Sequence, residues 1–279
     1  MVRIGKKCIL DIVKFTEQGA YLDGGPYGEI LLPNRYVPKN SNIDDEIEVF
    51  ISFDSEDRIL ATTDMPYAMV GDFAGLEVAQ ANQIGAFLDW GLPKDLFVPF
   101  REQFAKMEKG KRYVVYIYVD EKTGRIAASA KIKKFASKEP FPGAEGDEVD
   151  LLIAAHSELG YSAIINNSHL GMIFNSEVFK KIAVGDKLKG FIKQLRPDNK
   201  IDLSLEKEGY EKIDPISSQI IEAIKTNNGT LPLSDNSSPS EIKKLLGISK
   251  KSFKKAVGLL YKNRLITIHP DKIELTEKQ

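Results

Sequence analysis

Three stretches of this chain repeat one phrase of 15 residues: GAYLDGGPYGEILLP at 19–33, GAFLDWGLPKDLFVP at 85–99 and GYSAIINNSHLGMIF at 160–174. Each opens on Gly, runs as a short strand, turns, and resumes as an apolar strand. Such self-similarity limits the fold more than composition does, because each copy marks one structural unit used again. Upstream of the copies lie the β-rich runs CILDIVKF, FAGLEVAQ and EVDLLIAA. Downstream lie IEVFISFDSEDRILATT, YVVYIYVDEKTGRIAAS and KLKGFIKQLRPDNKIDLSL, each a strand, a charged turn and a last strand. In YVVYIYVD the residues are β-branched or aromatic, and strand alternation puts Tyr116 and Tyr118 on one face with Val114. The Gly that opens each second strand suits a backbone that bends sharply or is approached closely. Five short strands with such bends predict the five-stranded OB-type barrel, with an SH3-like barrel as the alternative of similar pattern.

From Tyr210 onward the period changes to that of a helix. ISSQIIEAIKTNNG carries Ile216, Ile220, Ile221 and Ile224 on one stripe, then Asn228-Gly229 as a stop. In SPSEIKKLLGISKKSFKKAVGLLYKNRL, Ser240 fits the cap of a helix with Ile242, Leu245 and Leu246 on one apolar stripe, and Ser249 fits the cap of the next. Phe253, Val257 and Leu260 face inward in that next helix, and Leu265, Ile266 and Ile268 pair with Ile273 and Leu275 across His269-Pro-Asp-Lys. Helix, helix, turn, helix and hairpin is the winged-helix order, related to modules that present their second helix to a groove. The expected fold is therefore mainly β with a helical C-terminal domain. Its domains would be 1–64, 65–139 and 145–207 as barrels, followed by 210–279 as the winged helix.

The net charge of −1 over 279 residues hides a segregation. Residues 1–64 carry 7 basic and 12 acidic side chains, 65–144 carry 12 and 9, 145–209 carry 8 and 11, and 210–279 carry 12 and 8. A polyanion would meet the second and fourth segments, since local basic patches decide such binding. One cysteine, Cys8, excludes an internal disulfide and a cysteine-based metal cluster. No apolar run reaches the roughly 20 residues of a membrane span, and MVRIGKKCILDIVKF lacks the pattern of a signal peptide. The expectation is a cytoplasmic protein. His156, His169 and His269 lie in unrelated contexts, and no phosphate loop or dinucleotide fingerprint occurs. The expectation is thus no enzyme, no cofactor, no metal and no small-molecule substrate.

The three units resemble the S1-type OB fold of RNA-binding proteins: a Gly-aromatic second strand, a Gly-containing turn, and a hairpin that runs into endings such as RIAAS (125–129) and KIDLSL (200–205). WGLPKDLFVP in a middle unit, two flanking units and the C-terminal segment are together similar to the conserved virulence factor B family of bacterial RNA-binding proteins. That resemblance implies single-stranded RNA as the partner, and post-transcriptional or regulatory control of gene expression as the role. By position it implies Phe87 with the hairpin cation Arg125 in unit two, Tyr21 with Arg58 in unit one, and Lys200 in unit three. Ser162 stands where unit two has Phe87, so Tyr161 and Phe174 are the aromatic candidates there. The family's histidine at the end of the third strand is replaced by Pro33, Pro99 and Phe174.

A site for single-stranded RNA needs flat side chains for stacking and cations for phosphates. Trp90 has two readings: a plug at the edge of the core, or a stacking platform beside Phe87, Lys94 and Arg101. Lys250, Lys251, Lys254 and Lys255 fall on the outward side of the presented helix, either as a solvated face or as phosphate contacts. The basic linker KIKKFASKEPFPG (131–143) reads first as a solvated tether. Two other classes stay open: a protein–protein adaptor that uses the barrels and the winged helix as docking surfaces, with the acidic first unit as a surface for protein partners, and a double-stranded DNA binder, for which base-reading side chains are lacking.

Overall fold

The computed structural model describes residues 2–54, 56, 58–206, 215–227, 229–262 and 265–276; Tyr210, Asn228 and Asn263 lie outside the described residues. The chain divides into two compact units, the second beginning at Glu206. The first unit holds three five-stranded units in chain order. β1 (Lys7–Thr16), β2 (Gly19–Asp23), β3 (Glu29–Pro33), β4 (Glu46–Phe53) and β5 (Ile59–Thr62) close into a barrel in the order β1-β2-β3-β5-β4. β6 (Phe73–Ala81), β7 (Gly85–Asp89), β8 (Leu96–Pro99), β9 (Arg112–Val119) and β10 (Ile126–Ser129) form the middle unit, ordered β10-β9-β6-β7-β8, with no ladder across the seam between β8 and β10. β11 (Glu148–Ser157), β12 (Gly160–Ile165), β13 (His169–Phe174), β14 (Lys187–Leu195) and β15 (Ile201–Ser204) close the third barrel in the order of the first.

The repeat fixes the same local devices three times. The register of each first strand slips once against the second, at Ile12/Lys14, Val78/Gln80 and Ile153/Ala155, and such a bulge coils the strand round a small barrel. Glycine opens the second strand because the third strand passes too close for a side chain. A Cβ on Gly19 would lie 2.1 Å from Leu32 O, and one on Gly160 2.1 Å from Ile173 O, with φ of +151° and +144°. Alternation then sends Ala20, Leu22, Ile30 and Leu32, and likewise Ala86, Leu88, Leu96 and Val98, into the barrel interiors. Burying each such Leu or Ile contributes roughly 1.5–3 kcal/mol.

The barrels are docked, not strung on tethers. Between the first and second, Val70 N donates to Gly5 O (3.0 Å) and Phe50 meets Trp90 edge-on at 5.7 Å. Between the second and third, Phe73, Val114 and Ile132 pack with Leu152, Ala154 and Ile164. Phe73 N donates to Asn167 Oδ1 at 2.7 Å, and Asn167 Nδ2 donates to Asp72 Oδ1 at 3.0 Å. The solvated-tether reading of 131–143 is corrected by two apolar groups. Ile132 is buried, and Phe135 stacks on Tyr116 at 4.3 Å and on Tyr118 at 5.5 Å.

The second unit has the winged-helix order: α1 (Pro215–Thr226), β16 (Thr230–Leu231), α2 (Pro239–Leu246), α3 (Lys250–Lys262), β17 (Ile266–Ile268) and β18 (Ile273–Leu275), with sheet order β16-β18-β17. Ile220, Ile224, Ile242, Leu246, Phe253, Val257 and Leu260 form its core. The cap of α2 is Ser238 and not Ser240. Pro239 occupies the first turn, and Ser238 and Glu241 exchange side-chain-to-backbone bonds as a capping box. Ser249 caps α3 by accepting from Ser252 N at 3.1 Å. No helix among the described residues is long and apolar enough to cross a membrane.

Candidate nucleic-acid interface

Outward-facing residues of β7 and β8 carry the chemistry of the middle barrel. Phe87 pairs across the ladder with Phe97, their rings 5.1 Å apart and tilted by 38°. Both are half-buried, so ring surface remains open beside protein that holds it in place. Alternation puts Asp89 and Asp95 next along this face, beyond the inward pair Leu88 and Leu96.

This face forms one wall of a groove of about 820 Å³ between the first and second barrels. The second barrel contributes Gln80, Ile84, Phe87, Phe97, Arg101 and Arg125, and the first contributes Arg35, Phe53 and Asp54. Trp90, Lys94, Asp95 and Asp120 complete the part that matters here. Lys94 Nζ donates to Asp54 O at 2.8 Å and so ties the two walls together. Arg101 Nη2 donates to Asp120 Oδ2 at 2.8 Å while its own side chain stays largely exposed. Asp120 in turn organises the β9–β10 hairpin. Its Oδ1 accepts from Thr123 N and Lys122 N, both at 3.1 Å, and those bonds, Thr123's first, hold its carboxyl below the usual range. Burial acts to raise Asp54, but the Arg58 guanidinium and the backbone N–H groups of Arg58 and Glu56 outweigh it and bring it below its ordinary value. Burial, and then the neighbouring Asp89, push Asp95 upward.

Five of the sequence candidates therefore meet in one groove: Phe87, Trp90, Lys94, Arg101 and Arg125. Trp90 does so as a plug, which corrects the stacking reading. It is 4% exposed, its ring is covered by Phe50, and its Nε1 donates to Lys94 O at 2.8 Å. The remaining candidates lie apart from the groove lining. Tyr21 is half-buried with Lys14 Nζ 5.0 Å from its ring centre. Arg58 is paired with Asp54 at 2.7 Å and with Glu56 at 3.1 Å. In the third barrel Tyr161 lies against His156 at 4.4 Å, Arg196 sits 5.7 Å over Phe174, and Lys200 is paired with Asp198 at 2.6 Å. Phe97, Arg35, Phe53 and Asp95 escaped the sequence reading as site residues. Strand alternation opposite Phe87 is a signal for Phe97; Arg35 and Phe53 come from another barrel and carry none.

On α3, Lys251 and Lys255 are exposed. Lys254 is exposed and 3.4 Å from Asp235. Lys250 is not outward: it is half-buried and donates to Ser237 O at 2.8 Å. Among the described residues no group of three or more His, Cys, Asp or Glu side chains could hold a metal ion.

Comparison with known proteins finds family matches in the first barrel and in the second unit. Residues 4–64 match the S1 domain family and residues 218–275 match the CvfB-like winged helix domain family. Conserved virulence factor B of Staphylococcus aureus (strain MRSA252) is 26% identical, with 98% of this chain and 96% of that protein covered. The protein YitL of Bacillus subtilis (strain 168) is 28% identical, with 94% and 90% covered. A solved multidomain protein with nucleic acid binding domains, from Streptococcus pneumoniae, is 23% identical with 98% of both chains covered and a TM-score of 0.49. The chain is similar to the conserved virulence factor B proteins over nearly its whole length, and its first barrel matches the S1 domain family and the segment after its third barrel the CvfB-like winged helix domain family.

Proposed function

We propose that this chain binds single-stranded RNA, with the groove between the first two barrels as the principal site. The observation that carries the reading is the Phe87–Phe97 pair, half-buried on a wall also lined by Arg35, Lys94, Arg101 and Arg125. Bases stack on the two rings while the cations take phosphates, which needs a strand whose bases are splayed out and not paired in a duplex. The exposed lysines of α3 add a sequence-independent phosphate surface. Two weak modules on one strand gain affinity through effective concentration. The regulatory control of gene expression that the resemblance implies is part of this proposal, and rests on similarity to conserved virulence factor B alone. The adaptor reading draws on Ile9, Val13 and Phe15, exposed along β1 of the acidic first barrel.

Fluorescence anisotropy of a short labelled single-stranded RNA with the full chain tests this. Affinity should fall steeply with added salt. Phe87→Ala and Phe97→Ala should each weaken binding by about tenfold, the worth of roughly 1–3 kcal/mol per stacked base. No binding, or binding indifferent to both substitutions, removes the groove as the site.

A further inference from the structure

We propose that Asp95 makes the groove selective for guanine, its carboxylate accepting the N1–H and N2–H donors of a base stacked against Phe87 and Phe97. The inference rests on the reading of the groove as a site for single-stranded RNA. Its starting point is a contrast among the three carboxylates that line the groove. Asp54 is engaged by Arg58 and Asp120 by Arg101. Asp95 has no hydrogen-bond or ion-pair partner among the described residues, although it is half-buried. It immediately precedes β8, and alternation from Phe97, two residues on, puts it on the same outward side as the aromatic pair.

The repeat supplies an internal control. The position of Asp95 in the phrase belongs to Glu29 in the first unit and to Leu170 in the third. Glu29 forms an ion pair with Lys14, and Leu170 packs into the junction with the middle barrel. Only in the middle unit does this position hold a carboxylate that its own barrel does not satisfy. An unpaired acid in a groove that receives a polyanion repels its ligand, unless the ligand brings donors to it.

Base chemistry decides which donors. Guanine alone presents two adjacent N–H donors on its Watson–Crick edge, matching the two oxygens of one carboxylate. Adenine and cytosine offer an amino group beside a ring-nitrogen lone pair, which faces the second oxygen. Uracil offers one N–H between two carbonyl oxygens. A site built for two donors rejects bases that lack them more strongly than an apolar pocket could.

The test uses the full chain and short oligouridines carrying one central guanine, adenine or cytosine, with all-uridine as reference, read by anisotropy at fixed salt. The guanine oligomer should bind on the order of tenfold more tightly than the others, the range of one good bidentate base contact. Asp95→Asn should abolish that preference and raise the all-uridine affinity, since a repelling charge is gone. Equal affinity for all four oligomers, with binding still lost in Phe87→Ala, overturns guanine selection and leaves the groove as the site. A guanine preference that survives Asp95→Asn also overturns it. Binding that ignores both Phe87→Ala and Phe97→Ala removes the groove itself, and the inference with it.

Discussion

The first and middle barrels share strand order, the bulge in the first strand and the Gly that opens the second, yet they differ wherever side chains point outward. At one cross-strand position the middle barrel has Phe87 opposite Phe97, the first Tyr21 opposite Leu31, and the third Ser162 opposite Met172. In the third barrel the next step along this face is Ile164 opposite Leu170, both of which pack into the junction with the middle barrel. The inward set holds the fold and tolerates little change. The outward set is free to carry an aromatic pair, the proposed binding wall, in one unit, a charged surface in another and a docking face in the third. Repetition of a barrel thus does not imply repetition of a site.

The largest expected effect breaks this comparison at Trp90. The first barrel has Gly24 at the same place in the phrase, so a barrel of this type does not itself require the indole. Trp90 serves the contact with Phe50 and the bond to Lys94 O. Trp90→Ala should cost about 3–5 kcal/mol, as for other large-to-small core changes, and denaturant unfolding would measure it. A loss below about 1 kcal/mol would mean that the junction does not depend on the plug.

A second experiment sharpens the comparison by moving the aromatic pair. Tyr21→Ala should change RNA affinity by less than about twofold, whereas Phe87→Ala should weaken it about tenfold. Equal losses would make the first barrel a site in its own right.

The smallest effect is electrostatic. The carboxyl of Asp120 is lowered in the fold, so the stability it contributes is present above its unfolded value and lost as pH falls through the folded one. Asp95 is raised, so its ionised form is penalised by folding, and that penalty vanishes as pH falls through the raised value. Asp120→Asn should therefore lower Tm at neutral pH and Asp95→Asn should raise it, with both differences fading in acid. Thermal melts across pH would show opposite signs, and like signs would contradict the two environments described for these carboxylates.

The sequence by itself determined the three barrels and the winged helix, because both rest on local patterns. Period-two runs, Gly at the opening of each second strand and helical stripes in the last seventy or so residues all act over short distances. It also placed Phe87, Lys94, Arg101 and Arg125 in one region, since they lie in neighbouring strands and turns of one repeat. Only the tertiary structure decided what Trp90 does, because Phe50, which covers it, comes from a different barrel. The same holds for Phe135, read as part of a tether until Tyr116 and Tyr118 are seen beneath it. The far wall of the groove, Arg35 and Phe53, was hidden for the same reason. Periodicity tells which face of a strand points outward; what then covers that face depends on how separate barrels dock, and no local pattern encodes it.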